Sequence, residues 1–275
     1  MICLKIRKLH SDAMQAENLL ISSTSNPRIK ALHKLEDSRY RRSSGLFVVE
    51  GRREVSFAIS AGYHATGFYY CRELFPEFHA DQAPVFQVTP QVYEKIAYRG
   101  GTEGIIGVFK SRSHVLPPAQ HVENGIYIIL ESVEKPGNLG AILRTADAAA
   151  VKGVILIGEN TDVYNPNTIR SSVGAFFTVP LFVTKRDELI QWLKDSGLEL
   201  LVLSPDGARS LYLQKVASRV ALLFGTEASG VSEEWKNDES AVCVSLPMRG
   251  RLDSLNVSNT VAVAVFEVLR QQGKV

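Results

Sequence analysis

Three polar segments marked by glycine contain the side chains best suited to chemistry. They read EKPGNLGAILR (residues 134–144), GTEASG (residues 225–230) and LPMRGRLDSLNVS (residues 246–258). Each one follows a short apolar run, so each is predicted to leave the carboxyl end of a strand. Open parallel sheets bind their ligands at that edge. We therefore expect the three segments to form one site.

The first segment combines an amide, a glycine and a cation. Asn138 is predicted to cap the following helix, and Gly140 would permit the close approach of another backbone. Arg144 lies in a stretch that is otherwise apolar or small. From this segment alone, an arginine that simply extends its stem into solvent is the commoner explanation.

The other two segments each have a plain structural alternative. Residues 225–230 would form a turn whose exposed N–H groups could hold a ligand, with Glu227 in the same space, but an ordinary glycine turn has the same pattern. In the third segment, helix capping would explain one of Ser254 or Asn256. Capping does not explain the length of the loop or its two leucines.

Several common chemistries are excluded. The sequence contains no G-x-G-x-x-G after the first strand of its second half, no G-x-x-x-x-G-K-[ST] and no G-x-S-x-G. All 6 histidines lie within residues 1–121, so residues 122–275 cannot contain a Ser-His-Asp triad. The 3 cysteines suggest neither a disulfide framework nor a zinc site. With no secretory signal and no apolar stretch of the roughly 18 residues that span a bilayer, we expect a cytoplasmic protein.

The apolar pattern predicts an α/β fold. Short apolar runs alternate with helical patterns in the second half of the chain, which indicates a parallel sheet covered on both faces. The paired prolines at positions 117 and 118 suggest an exposed connection. We predict a first domain over residues 1–112, a linker over residues 113–122 and a second domain over residues 123–275. The predicted strands are residues 126–130, 153–158, 180–183, 199–203, 220–224 and 242–246, and the predicted helices are residues 138–150, 166–177, 186–196 and 256–272.

The first domain is predicted to mix helices over residues 27–40, 52–60 and 90–97 with strands over residues 46–50, 66–71 and 85–89. The formal net charge of +2 conceals an uneven distribution, because residues 1–121 hold 16 Lys and Arg against 11 Asp and Glu. Residues 28–53 alone hold eight bases and three acids. Such a cluster fits a solvated surface and a phosphate-binding surface about equally well.

Together the three segments resemble the signature motifs of the SpoU/TrmH family of SPOUT RNA methyltransferases. The family pattern is N-x-G-x-x-x-R, then G-x-E-x-x-G, then [I/L]-P-M-x-G-x followed by S-L-N-V-S, and all three occur here in order. Residues 22–110 resemble the family's N-terminal substrate-binding domain through SNPRIK (residues 25–30), LFVVEG (residues 46–51) and EGIIG (residues 103–107).

The resemblance implies a fold and an activity. The fold would be a C-terminal parallel-sheet α/β domain with a trefoil knot, preceded by a smaller L30e-like α/β domain. The activity would be methyl transfer from S-adenosylmethionine, without a metal, to a ribose 2′-hydroxyl of structured RNA. Ribosomal RNA of the 23S type is preferred. A tRNA ribose methyltransferase and a catalytically silent RNA-binding relative are the alternatives. The resemblance also implies a homodimer with the active site at its interface.

The same resemblance assigns roles to individual residues. Because a guanidinium keeps its proton in proteins, we expect Arg144 to stabilise developing negative charge rather than act as a base. The expected catalytic residues are Asn138, Arg144, Glu227, Ser254 and Asn256. The donor would contact Ser204, Gly225, Thr226, Glu227, Gly230, Leu246, Met248, Leu255 and Asn256. RNA would contact Arg28, Lys30, Arg39, Arg41, Arg42 and Arg170.

Overall fold

The structure is a computed structural model that describes residues 20–98, 103–158, 161–226 and 230–275. Its helices are α1 (Pro27–Lys34), α2 (Ser38–Ser44), α3 (Arg52–Ser60), α4 (Pro90–Ile96), α5 (Pro136–Ala148), α6 (Pro166–Ser171), α7 (Arg186–Ser196), α8 (Glu233–Lys236) and α9 (Val257–Gln271). Its strands are β1 (Leu46–Glu50), β2 (Ala65–Tyr70), β3 (Val85–Gln87), β4 (Ile105–Lys110), β5 (Gly125–Glu131), β6 (Gly153–Ile157), β7 (Leu181–Val183), β8 (Glu199–Leu203), β9 (Arg209–Ser210), β10 (Arg219–Phe224) and β11 (Ala241–Ser245).

The larger sheet contains seven strands in the order β7-β6-β5-β10-β8-β11-β9, and every neighbouring pair is parallel. Its central strands are buried on both faces. Ile128 of β5 belongs to the core that contains α5 and α9, whereas its neighbour Ile129 belongs to the core that contains α7. Continuous apolar strands are typical of such doubly covered sheets. The α/β prediction is therefore confirmed, while the trefoil knot stays a prediction.

The smaller sheet has the strand order β1-β4-β2-β3. Strand β4 runs antiparallel to β1 and β2, and β3 runs parallel to β2. Helices α1 and α4 cover one face through residues such as Ile29 and Val92. The opposite face carries Phe47 and Phe109, which belong to the same continuous core as α5 and α9 of the larger sheet. One apolar core thus joins the two sheets.

Tyr164, in the segment before α6, is the centre of this junction. Its ring centroid lies 4.4 Å from that of Phe47. Its hydroxyl oxygen accepts a hydrogen bond from the N–H of Arg112 at 2.7 Å and lies 3.0 Å from Nε2 of His114. The chain between β4 and β5 is therefore held against the larger sheet. The domain division at residues 113–122 stays a prediction, since the core continues across it.

Two predicted helices are shorter than the sequence suggested. The helix expected over residues 27–40 is interrupted after Lys34, because Asp37 accepts the backbone N–H of Tyr40 at 2.9 Å and so begins a second helix. The helix expected over residues 166–177 ends at Ser171. The following Val173 and Gly174 have φ angles of 53° and 95°, which an α-helix cannot contain. Strand β4 was not among the predicted strands.

The prediction that Arg41 binds RNA is wrong, because its side chain is only 3% exposed. Its Nε donates to Oδ2 of Asp162 at 2.8 Å, and its Nη1 donates to the carbonyl oxygens of Leu35 and Glu36 at 2.6 and 2.9 Å. The carbonyls at the end of a helix lack partners within the helix. The guanidinium supplies those partners and ties α2 to the segment before α6.

Replacement of Arg41 by Ala should lower the free energy of unfolding by about 3 kcal/mol, because the variant leaves the Asp162 carboxylate and two carbonyls without their donor. The neighbouring exposed Arg42 provides the control, and Arg42→Ala should change that free energy by less than about 0.5 kcal/mol. Urea denaturation of both variants measures the difference. Equal losses in the two variants would contradict the structural role.

Candidate active site

The site lies where four neighbouring parallel strands end. Strands β5, β10, β8 and β11 are adjacent in the larger sheet, so the segments that follow them emerge at the same edge. The segments after β8, β10 and β11 line a cavity of about 530 Å³. The cavity is lined by every predicted donor-binding residue within the described ranges, and also by the predicted catalytic Ser254. These lining residues are Ser204, Gly225, Thr226, Gly230, Leu246, Met248, Ser254, Leu255 and Asn256. Glu227 lies outside the described residues.

The segment after β8 is held tightly over β11. The buried Ser204 donates its backbone N–H to the carbonyl oxygen of Val244 at 3.0 Å, and its own carbonyl accepts the N–H of Gly207 at 3.0 Å. A Cβ atom at Gly207 would lie 2.7 Å from the backbone nitrogen of Ser245, so only glycine fits there. Gly207 lies outside the three motifs, so no sequence pattern marked it.

After β10, Thr226 and Gly230 pair with each other at the base of a turn. The N–H of Thr226 donates to the carbonyl oxygen of Gly230 at 2.9 Å, and the N–H of Gly230 donates back to Thr226 at 3.2 Å. A Cβ atom at Gly225 would collide with the backbone of Gly230. The N–H groups of Thr226 and Gly230 are therefore occupied within this pair, and the close approach of Gly225 to Gly230 requires glycine at position 225.

Asn256 connects the third motif to the first. Its Nδ2 donates to Oδ1 of Asn138 at 3.3 Å. Its Oδ1 accepts the backbone N–H of Ser258 at 3.0 Å and thereby caps α9. Of the two predicted caps, Ser254 and Asn256, the structure selects Asn256. One amide thus caps a helix and contacts the predicted catalytic Asn138.

Asn138 itself is not a cap, which corrects the sequence prediction. Helix α5 begins at Pro136, with Lys135 in the cap position, because proline is well suited to the first turn of a helix. Asn138 therefore lies inside that turn. The expectation for Gly140 is confirmed, since a Cβ atom there would lie 2.9 Å from the backbone carbon of Ser171 in α6.

A second recess of about 270 Å³ adjoins the cavity. The segment after β5 forms one wall through Ser132, Glu134, Lys135 and Asn138, and the two spaces share Gly225, Thr226 and Val257. Ser132 has a φ of 54°, a conformation that non-glycine residues rarely adopt and that often marks a functional site. Two ligands could therefore meet at Thr226 and Val257, as a group transfer requires.

Arg144 lies on α5 with its side chain exposed, and it is not among the lining residues of either space. Within the described part of the chain, no hydrogen bond or salt bridge engages its guanidinium. The structure therefore does not bring Arg144 together with Asn138, six positions earlier. A role for this cation needs a ligand or a partner that reaches the exposed face of α5.

The predicted RNA-binding cations other than Arg41 are all exposed. Arg28 and Lys30 lie on α1, Arg39 and Arg42 on α2, and Arg170 on α6. The Arg28 guanidinium stacks over the ring of Phe86 with a carbon-to-centroid distance of 4.8 Å. Because these side chains are exposed, they can contact phosphates without a change in the protein.

Sequence reasoning missed two charged residues at the cavity wall. Nζ of Lys236 lies 2.8 Å from Oε1 of Glu233 and 3.9 Å from Oδ2 of Asp206. The hydrogen bond with Glu233 raises the pKa of Lys236 above its usual value. Asp206 and Lys236 line the cavity, but they lie in different elements, and no local pattern marks either of them.

Residues 20–98, 103–158, 161–226 and 230–275 contain neither a metal-binding cluster nor a membrane-spanning helix. No group of three or more His, Cys, Asp or Glu side chains could hold a metal ion there. No helix in those ranges is long and apolar enough to cross a membrane.

Two adjoining spaces at the carboxyl edge of a parallel sheet fit an enzyme that transfers a group between two ligands. Residues 125–266 match the SpoU rRNA Methylase family, and residues 26–107 match the MRM3-like substrate binding domain. The chain therefore belongs to the SpoU rRNA methylase family, which confirms the resemblance found in the three motifs.

Two similar proteins match nearly the whole chain, and a third matches about half of it. The AdoMet-bound rRNA methyltransferase from Sinorhizobium meliloti has a TM-score of 0.81 at 28% identity, over 91% of this chain and 97% of its own. The 23S rRNA (guanosine-2′-O-)-methyltransferase RlmB of Escherichia coli (strain K12) is 28% identical over 89% of this chain and 97% of its own. A structure solved in work on the 2-OH methylation of C/U34 on tRNA covers 55% of this chain and 97% of its own, with a TM-score of 0.51 and 28% identity.

The two bonds of Asn256 can be separated by substitution. Asn256→Ala should lower the free energy of unfolding by about 1 kcal/mol, because it removes the cap of α9. Asn256→Asp keeps a capping oxygen and should stay near the wild type in stability, yet it replaces the donor that contacts Asn138. Denaturation curves and methyl-transfer rates of both variants test this, and a fully active Asn256→Asp protein would contradict the importance of the contact.

Proposed function

We propose that this protein transfers the methyl group of S-adenosylmethionine to a ribose 2′-hydroxyl of 23S ribosomal RNA. The observation that carries the proposal is the pair of spaces that meet at Thr226 and Val257, one walled by the second and third motifs and the other by the first. The 23S rRNA methyltransferase of Escherichia coli matches both halves of the chain, whereas the tRNA-related structure matches about half of it. A ribosomal substrate is therefore favoured, and the cytoplasm is where the protein would meet it.

The larger cavity fits the methyl donor. Its volume of about 530 Å³ lies within the roughly 300–1,000 Å³ typical of small-molecule sites. Leu203, Val231 and Leu246 offer apolar walls to an adenine ring. When bound, S-adenosylmethionine supplies a methyl group already activated by its sulfonium.

The protein's own task is to prepare a poor nucleophile. A bond forms between the ribose oxygen and the methyl carbon as the carbon–sulfur bond breaks, and the hydroxyl gives up its proton. The Arg144 guanidinium would stabilise the negative charge that develops on the oxygen and the adjacent phosphate. Asn138, Ser254 and Asn256 would orient the sugar by hydrogen bonds, and Glu227 would assist in holding Arg144 or in accepting the proton through water.

A homodimer would explain two exposed features. Val263 and Phe266 of α9 are 38% and 43% exposed, and Leu252, in the third motif, is 78% exposed. Val263 and Phe266 are three positions apart and so lie on the same face of α9. Contiguous exposed apolar surface commonly marks an interface. The third motif also walls the donor cavity, so a second copy seated there would lie beside the site. The same association would bring a second copy of the chain to the exposed Arg144 of α5.

The RNA would be held by the exposed cations of the smaller domain. Arg28, Lys30, Arg39 and Arg42 are free to contact phosphates, and Arg170 extends this surface onto α6. Phosphate contacts fix the orientation of an RNA but do not read its sequence. Recognition of one nucleotide would then depend on the shape of the surrounding RNA.

The decisive experiment follows ribose methylation with purified protein, S-adenosylmethionine and unmodified 23S rRNA, and with tRNA in parallel. We expect one new 2′-O-methyl group in the 23S rRNA and none in tRNA. Methylation of tRNA alone would show that the substrate is tRNA and not 23S rRNA. RNA binding without methylation of either RNA would identify a catalytically silent relative instead.

Arg144→Ala should lower the rate of methyl transfer by about a hundredfold or more, because it removes the charge that stabilises the transition state. The dissociation constant for S-adenosylmethionine, measured by calorimetry, should stay within about twofold, since Arg144 does not line the cavity. Lys194→Ala, which removes an exposed cation from α7, serves as the control. An active Arg144→Ala enzyme would remove Arg144 from the catalytic residues.

Phe266→Asp should disrupt the homodimer, because it places a charge within the apolar surface of α9. Light scattering coupled to gel filtration should show a dimer for the wild type and a monomer for the variant, and the monomer should lose methyl transfer. A variant that stays dimeric, or a monomer with full activity, would count against the interface.

A further inference from the structure

A carboxylate at the end of β5 joins two parts of the site that are distant in sequence. Oε2 of Glu131 accepts the backbone N–H of Ser232 at 2.9 Å, and Oε1 accepts the hydroxyl of the same serine at 2.9 Å. Both residues are half-buried. Hydrogen bonds to an ionised acceptor in such surroundings are stronger than those between neutral groups.

The hydrogen bonding of the Ser232 side chain is unusual for a residue at the start of a helix. It occupies the cap of α8, where a serine hydroxyl ordinarily accepts an N–H of its own helix. Here its side chain makes no capping hydrogen bond. The hydroxyl donates to Glu131 instead, so the chain gives up a local contact in favour of one that reaches β5.

The bond also connects the two spaces of the site. Ser232 comes two residues after Gly230, which closes the turn at the wall of the larger cavity. Glu131 directly precedes Ser132, where the wall of the smaller recess begins. Strands β5 and β10 are paired only as far as Leu130 and Phe224. Beyond that point, the carboxylate ties the two emerging segments together.

We propose that Glu131 is a positioning residue for the methyl donor, and that it acts through Ser232 to fix the turn at Thr226 and Gly230. Glu131 is not among the lining residues of either space, so it acts through the segment that it holds. This inference rests on the proposed donor site. Its consequence is that donor affinity depends on a residue that does not touch the donor.

Three variants test the role through the dissociation constant for S-adenosylmethionine, measured by calorimetry. Glu131→Ala and Ser232→Ala should each raise that constant, by about tenfold for the removal of bonds to a charged group. Glu131→Gln should restore most of the affinity, because its amide can accept the N–H and donate to the serine hydroxyl. If Glu131→Gln binds the donor as weakly as Glu131→Ala, charge rather than position is responsible and the proposal is overturned.

The control is Glu123→Ala, at the opposite end of β5, where the carboxylate pairs with Lys152 at 2.6 Å on the surface. Its affinity for the donor should equal that of the wild type. An unfolded fraction would also raise the apparent dissociation constant. A denaturation curve must therefore show that each variant is fully folded at the temperature of the calorimetry. If Glu131→Ala does not fold, Ser232→Ala carries the test alone.

A fourth variant separates this inference from the donor site on which it rests. Gly225→Ala should abolish donor binding, because its Cβ would displace the backbone of Gly230. Loss of binding in Gly225→Ala together with unchanged affinity in Glu131→Ala would overturn the positioning role and leave the donor site in place. Unchanged affinity in Gly225→Ala would overturn the donor site and the inference together.

Discussion

The parallel pairing of β5, β10, β8 and β11 is the constraint on which the site depends. Neighbouring parallel strands end at the same edge, so four segments that are up to about 120 residues apart in the chain must emerge side by side. The apolar residues of β5, β8 and β10 are buried on both faces and hold these strands in the core, whereas β11 is mostly half-buried. A change in register would separate the walls of both spaces.

Two side-chain contacts then fix the relative positions of the segments that the sheet brings together. The Asn138–Asn256 contact joins the starts of α5 and α9, and the Glu131–Ser232 contact joins the segments after β5 and β10. Neither contact lies deep in the core, and both join the ends of strands and helices. The sheet brings the segments within reach, and these polar bonds select one arrangement of them.

The sequence predicted the features that local patterns encode. The apolar runs and the glycine-marked motifs gave the parallel sheet and the edge at which the site lies. Arg41 shows where this reasoning stops, since nothing nearby in the sequence identifies Asp162 as its partner 121 positions away. The cap assigned to Asn138 was wrong because Pro136 starts α5 earlier. Strand β4 was not predicted, because Gly107 interrupts its apolar run. In the structure, the rings of Phe68 and Phe109 occupy the space that a side chain at position 107 would need.

The shared core at Tyr164 has a consequence for the evolution of such chains. Phe47, from the smaller sheet, and Phe176, beside α6, both pack against the Tyr164 ring. A shorter protein built from the larger sheet alone would leave that aromatic surface facing water. Gain or loss of the smaller domain must therefore be accompanied by substitutions around Tyr164, and polar residues at the equivalent positions would mark a lineage in which the larger domain stands alone.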